Sequence, residues 1–265
     1  MAVLTSGVTA QYSTSDKVAA RARLHTQYSV SAEGWFEWVA HRLGLREDDR
    51  VLDIGCGPGW FWAGAAPLLP ERVELTLADQ SAGMVAEALE RCRSLRSWAV
   101  TGIAADAATL PFADARFDAV VAMHMLYHVP DQARAIAEMH RVLKPGGVLA
   151  VTTNGTNNLR DLYALTTVFG SDPVEPVAAV FGLENAERRM TAQFGNVTRE
   201  IQPARLRVTS PEDVFMALTS YPPGDGAPQD QLTAFRAAIG DAFARGGGAL
   251  DVAKEVGLFL SRKSA

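Results

Sequence analysis

The stretch that decides the fold is Val51-Leu52-Asp53-Ile54-Gly55-Cys56-Gly57-Pro58-Gly59. Val51, Leu52 and Ile54 read as a short buried strand, and three glycines follow at alternate positions, each able to take positive φ and to admit a ligand close to the backbone. Pro58 suits the first turn of a helix, where a backbone N–H is not needed. The stretch is therefore a strand-to-helix turn with the geometry of a nucleotide site. A dinucleotide fingerprint asks for its last glycine one position later, where this chain has Trp60. No Gly-Lys-Ser/Thr ending makes it a phosphate loop. Asp53, just ahead of the glycines, would repel phosphate and suits a ligand that carries an ammonium group.

Further elements follow in a fixed order. Trp60 to Leu69 reads as a helix and Val73 to Ala78 as a second strand ending at Asp79, about 20 residues past the glycines, where an acid can accept both hydroxyls of a ribose. Ser81 caps a helix to about Leu95, and Trp98 to Ala104 is a third strand ending at Asp106. The fourth and fifth strands are Phe117 to Ala122, after the turn LPFADAR, and Gly147 to Thr153, after LKPGG.

The acid, one residue, then G-x-G-x-G resembles the first motif of the class I S-adenosylmethionine-dependent methyltransferases. The run LPFADARFDAVVAMHMLYHVPD and the later MHRVLKPGGVLAV resemble the small-molecule branch of that family. Together the motifs cover about residues 50 to 153. The resemblance implies an α/β Rossmann-like three-layer αβα sandwich on a mostly parallel seven-stranded sheet. It also implies S-adenosylmethionine as donor, with S-adenosylhomocysteine as product. Asp53, Gly55, Cys56, Gly57, Gly59, Asp79, Gln80, Met84, Asp106, Ala107 and Met123 would then surround the donor, with Asp106 on the adenine amino group and Tyr12 and Tyr28 as covering residues. Met84 and Met123 read equally well as core filler, and Cys56 is a residue of suitable size whose backbone faces the donor.

Methyl transfer from a sulfonium is an in-line displacement, so positioning supplies much of the rate, and a base is useful only where the acceptor must lose a proton. After the fourth strand stands Met123-His124-Met125-Leu126-Tyr127-His128. It replaces the Asn/Asp-Pro-Pro-Tyr/Phe signature of amino methyltransferases acting on adenine or glutamine amides. A Pro-Cys nucleophile of the cytosine C5 type is also lacking. His128 is the leading base candidate by position and by the pKa range of histidine, with a structural histidine as the other reading. His25 and Tyr28, three apart on a helix, share a face and either look into the pocket as catalytic groups or pack on the core. His124, Tyr127, Tyr163, Phe169 and Phe181 are candidates to line an apolar acceptor site; for Tyr163 and Phe169, burial of a helical stripe explains them equally well.

Two further classes stand beside this reading: a nicotinamide-dependent oxidoreductase of the same fold, and a partner protein that binds the donor without catalysis. In 265 residues, 48% of them hydrophobic, one good core is expected. The division expected is an N-terminal helical cap over 15–45, a donor-binding core over 46–153, a substrate-cover insertion over 154–195 and C-terminal strands and helices over 196–265 that complete the sheet. A net charge of −5 argues against a nucleic-acid partner, and the two cysteines offer neither a disulfide framework nor metal-ligand spacing. No metal is expected. Without a secretory signal or a long apolar run, a soluble cytoplasmic protein with no membrane partner is the expectation.

Overall fold

Successive residues of a strand point to opposite faces of a sheet, and here both faces are apolar. In the computed structural model, which describes residues 16–264, a helix α1 (Asp16–Tyr28) and a helix α2 (Trp35–Leu43) precede the first strand, β1 (Arg50–Ile54). Then come α3 (Trp60–Ala65), β2 (Glu74–Asp79), α4 (Ala82–Cys92), β3 (Ala99–Ala104), β4 (Phe117–Met123), α5 (Gln132–Val142) and β5 (Leu143–Asn154). Along β1, Leu52 and Ile54 enter a core cluster with Ile136 and Met139 of α5, while Val51 enters a second cluster with Trp38, Phe61 and Trp62 on the opposite face. β4 divides the same way, Val120 and Ala122 to the first cluster and Ala119 and Val121 to the second. This is the pattern of parallel strands covered by helices on both sides.

The later elements are α6 (Arg160–Tyr163), α7 (Ala178–Phe181), α8 (Leu183–Phe194), β6 (Thr198–Gln202), β7 (Arg205–Val208), α9 (Pro211–Leu218), α10 (Gln229–Arg245), β8 (Leu250–Ala253) and β9 (Val256–Arg262). The main sheet has seven strands in the order β3-β2-β1-β4-β5-β9-β6, and β7 and β8 form a separate pair. β1 pairs in parallel with both β2 and β4, and β9 runs antiparallel to β5 and β6. The seven-stranded, mostly parallel α/β sheet read from the sequence is present. Between β1 and β4 the strand order reverses, and a ligand crevice opens at the carboxyl ends of strands at such a point.

The sequence by itself reads Val197–Ile201 and Leu206–Thr209 as an antiparallel pair, a helix capped by Ser31 and a helix over Asn157–Gly170, and the structure differs from each. β6 and β7 are not partners of each other: β6 lies on β9 and β7 on β8. They belong to one antiparallel ribbon in unbroken register, Gln202 opposite Val256 and Arg205 opposite Ala253, which leaves the sheet at Pro203-Ala204 and Lys254-Glu255. A two-residue reversal between β6 and β7 would need residues at ease with positive φ, and Pro203-Ala204 supplies none. The helix expected from Ser31 begins instead at Trp35, after Gly34. The region from Asn157 to Gly170 is not one helix but the short α6 followed by a 3-10 turn over Ala164–Phe169.

The expected segments also distribute differently over the layers. A third cluster joins Leu24 of α1 to Leu162, Leu206, Val214, Phe235 and Val252, so α1, α6, α9, α10 and the outer half of the ribbon pack as one cap. α2 belongs to the core beneath. Of the insertion, α7 and α8 bury Phe181, Leu183 and Met190 against the main sheet, while α6 and the turn after it join the cap.

Gly59 carries the close approach of α3 to α4. It has φ of +75°, and a Cβ there would lie 3.1 Å from both Ala88 and Cys92. Gly59→Ala is expected to lower stability by about 2 kcal/mol, from the left-handed backbone and the crowding. Gly240→Ala, on an open helical face with no atom within 4 Å, should raise it by about 0.5–1 kcal/mol. Urea denaturation of the two variants beside the parent checks both signs.

Candidate active site at the reversal of the sheet

The glycine loop is latched onto the neighbouring strand by its backbone. The N–H groups of Gly55 and Cys56 both donate to the Ala78 carbonyl, at 2.7 and 3.0 Å, and the Gly57 N–H donates to the Asp79 carboxylate at 3.0 Å. Gly55, Gly57 and Gly59 all have positive φ, and their surroundings differ. A Cβ on Gly55 would run into the side chain of Met125, and one on Gly59 would meet α4. Gly57 has no atom within 4 Å of that position. The open space of the loop thus lies over Gly57, whose N–H is held by Asp79.

Asp53 is 2% exposed. One of its oxygens accepts the Trp62 indole N–H at 2.7 Å, and the other, also buried, has no hydrogen-bond partner among the described residues. Burial pushes its carboxyl up to about 7; the Trp62 hydrogen bond opposes this shift, and the neighbouring Asp79 adds to it. Asp79 is half-buried and accepts from the Ser81 N–H (2.9 Å) as well as from Gly57. Burial also raises Asp79, against these backbone hydrogen bonds. Cys56 is pushed up by burial and by the two acids, so its thiol stays protonated. Asp106 is exposed and accepts from the Ala108 N–H at 2.8 Å.

Other expected donor contacts fall into different settings. Gln80 is exposed, Met84 and Ala107 are buried, and Met123 is half-buried at the end of β4. Tyr12 lies outside the described residues. Tyr28 donates its hydroxyl to Asp213 at the start of α9, and Arg23 pairs with the same carboxylate at 2.9 Å. That hydroxyl ties α1 to α9.

His25 and His124 come together although they are far apart in sequence. His124 follows β4 with φ of +52°, and its N–H donates to the Thr152 carbonyl and hydroxyl, each at 3.1 Å. Its imidazole stands 5.5 Å from the Trp35 ring. Burial, then the nearby Lys254 ammonium, lowers His124 to about 4 and His25 to about 3, with His124 also acting on His25. Both imidazoles are neutral at pH 7 and far weaker as bases than a catalytic base operating near neutrality, which speaks against His25 in that role. His128 is half-buried with its ring edge-to-face on Tyr127 at 4.6 Å.

The expected acceptor-lining aromatics do not gather. Phe181 is wholly buried in the main core, where α7 packs on the sheet. Phe169 lies against Phe235 at 4.9 Å in the cap. Tyr163 donates to the buried Glu175 at 3.0 Å, and Glu175 also accepts from Asn154 (3.0 Å) and Asn158 (2.8 Å). Sequence reasoning passed over Trp62, Met125, Glu175 and Lys254. Trp62 alone carried a local signal, as the indole one turn into the helix after an acidic loop. Among the described residues, Glu33, Glu37 and His41 on or next to α2 place possible metal-ligand atoms within 4.8 Å of one another. No helix among the described residues is long and apolar enough to cross a membrane.

The methyltransferase domain family matches residues 52–151. A demethylmenaquinone methyltransferase of Beutenbergia cavernae is 38% identical over 122 residues, covering 46% of this chain and 48% of that one. A malonyl-acyl-carrier-protein O-methyltransferase of Pseudescherichia vulneris is 36% identical over 127 residues, 46% of this chain and 45% of that one. The chain thus spans about half the length of these curated relatives. The crystal structure of the 4+2 cyclase SpnF superposes with a TM-score of 0.53 at 26% identity, covering 87% of this chain and 80% of that one.

Asp53 generates a prediction of its own. Its carboxyl sits above its unfolded value of 3.8, so its contribution to stability is whole below about pH 4 and is lost as pH rises through about 7. Asp53→Asn keeps an acceptor for Trp62 and removes the titration. Between pH 5 and pH 8 the parent should lose melting temperature relative to the variant, and a constant difference would show that the carboxyl is not raised.

The latched glycine loop, the acids at or just beyond β1, β2 and β3 and the reversed parallel sheet all belong to, or adjoin, the stretch 52–151 that matches the methyltransferase domain family, and in that stretch this chain is similar to the methyltransferases.

Proposed function

We propose that this protein transfers the methyl group of S-adenosylmethionine, by in-line displacement, to a small-molecule acceptor of metabolic or natural-product kind. The observation that carries the reading is the latched glycine loop: Gly57 is open above its backbone with its N–H on Asp79, and the buried Asp53 just before the loop leaves one oxygen without a partner among the described residues. The donor fits this set. Asp53 offers a buried anion to the ammonium of its methionine end, Asp79 offers carboxylate lone pairs to the ribose hydroxyls, and Asp106 stands at the third strand for the adenine amino group. Bound there, S-adenosylmethionine supplies a methyl group activated by its sulfonium.

The chain's own residues supply position and shelter. Gly57 lets the backbone approach the ligand, Trp62 holds the Asp53 carboxylate in one orientation, and Met125 packs over Gly55. Holding acceptor and methyl in line can contribute about 7–11 kcal/mol without a strong base. Where an acceptor must lose a proton, His128 is the base we assign, since His25 and His124 are held too acidic. The two curated relatives are named for different acceptors, a demethylmenaquinone and a malonyl group on acyl-carrier protein. The half of the chain they share with this one therefore does not choose the acceptor, and selectivity falls to the cap.

Calorimetry with S-adenosylmethionine and S-adenosylhomocysteine tests the donor site. Both should bind, and Asp79→Ala should weaken them by about 1.5–3 kcal/mol, the scale of hydrogen bonds to a charged group. Folded protein that binds neither ligand would sink the reading. Mass spectrometry of ligand released on denaturation separates the homocysteine product from a nicotinamide dinucleotide, the mark of the oxidoreductase alternative.

A further inference from the structure

Four elements outside the glycine loop converge beside the end of β4: α1 through His25, the start of α2 through Trp35, the turn after β4 through His124, and the bend of the β6–β9 ribbon through Lys254. The bend is closed by the Lys254 N–H, which donates to the Ala204 carbonyl at 3.2 Å. The Lys254 ammonium stands 5.9 Å from the centre of the Trp35 ring, whose other ring neighbours are the His124 imidazole at 5.5 Å and Trp38, stacked on it at 5.5 Å. One wall of this place opens on a cleft of about 450 Å³, lined by Val30, Ser31, Gln202, Pro203 and Lys254 among others.

The charge balance here is one-sided. Lys254 is half-buried and forms no ion pair with a carboxylate among the described residues, and burial alone brings its ammonium down to about 8. Its neighbours are two imidazoles held neutral, and the His25 Nδ1 is buried with no hydrogen-bond partner among the described residues. A partly desolvated cation is costly unless a negative group meets it. Lys254 thus brings to the cleft a cation that has no carboxylate partner among the described residues, with the Trp35 ring and two neutral imidazoles close to it.

We propose that Lys254 binds an anionic oxygen of the methyl acceptor, whose planar framework lies along Trp35 and which arrives through the cleft at the ribbon bend. The proposal rests on the methyl-transfer reading and deepens it: the acceptor is an anion, such as a carboxylate or a phenolate, carried on an aromatic or similarly flat body. His25 and His124 serve beside it as neutral hydrogen-bonding groups. Lys254 is then an acceptor-binding residue, and the donor site does not depend on it.

The probes are 2-naphthoate and its uncharged counterpart 2-naphthamide, titrated by ligand-observed NMR at millimolar concentration. They are added to the whole protein with and without S-adenosylhomocysteine. The parent should prefer the naphthoate by about tenfold or more, as one hydrogen bond between charged groups supplies. Lys254→Met, which keeps the stem over Trp35, should abolish the preference, and Lys254→Arg should restore it. All three proteins should bind S-adenosylhomocysteine alike, which also shows that the variants are folded. Equal binding of the two probes by the parent, no naphthoate binding at all, or a preference that survives in Lys254→Met overturns the proposal. Failure of S-adenosylhomocysteine to bind strikes the methyl-transfer reading instead, and the naphthoate titrations without it still decide the role of Lys254.

Discussion

The double acceptance by one carbonyl, that of Ala78 at the end of β2, fixes the geometry on which the rest of the molecule depends. Two N–H groups of the glycine loop converge on it, and a third reaches the adjoining Asp79. The chain must pass from a buried strand into a helix within a few residues, and a backbone turned so sharply leaves donors that need partners inside the protein. Strand β2 supplies those partners because it lies in parallel register with β1. The same register brings Asp79 beside the loop, so the latch that closes the turn also sets the distance between the two acids.

Burial of Asp53 is the second constraint, and it works against stability while it serves the site. A carboxylate with one oxygen on an indole and the other on nothing is poorly compensated. Its raised affinity for a proton is the direct result. The chain tolerates this because the surrounding packing over-determines the position: Trp62 is wholly buried and edge-to-face with both Phe61 and Trp98. The proposed ammonium ligand would supply the missing partner.

A similar economy governs the cap. The ribbon that completes the main sheet continues past its edge and, after the bend, becomes the floor of the third hydrophobic cluster. One pair of strands therefore joins a layer shared with many enzymes of the fold to a layer that belongs to this chain, and the joint carries Lys254. Lys254 therefore sits where the main sheet and the cap meet.

The local signals were legible in the sequence because their physics is local. The strand-to-helix loop is written in the conformational freedom of Gly55, Gly57 and Gly59, and the parallel sheet in the apolar runs of β1, β4 and β5. The acids at the ends of β1, β2 and β3 could be placed by counting, since each strand must end at the same edge. Tertiary structure alone decided what meets across long separations. Tyr28 turned to Asp213, 185 residues away, because α9 packs on α1, and Phe181 went into the core because α7 lies on the sheet. Lys254, an unremarked lysine in the sequence, came to His25 and His124 because an antiparallel ribbon bends at Pro203 and Ala204. Periodicity and turn chemistry reach only a few residues along the chain, whereas these contacts depend on which strands pair and which helix faces find each other once the whole core has closed.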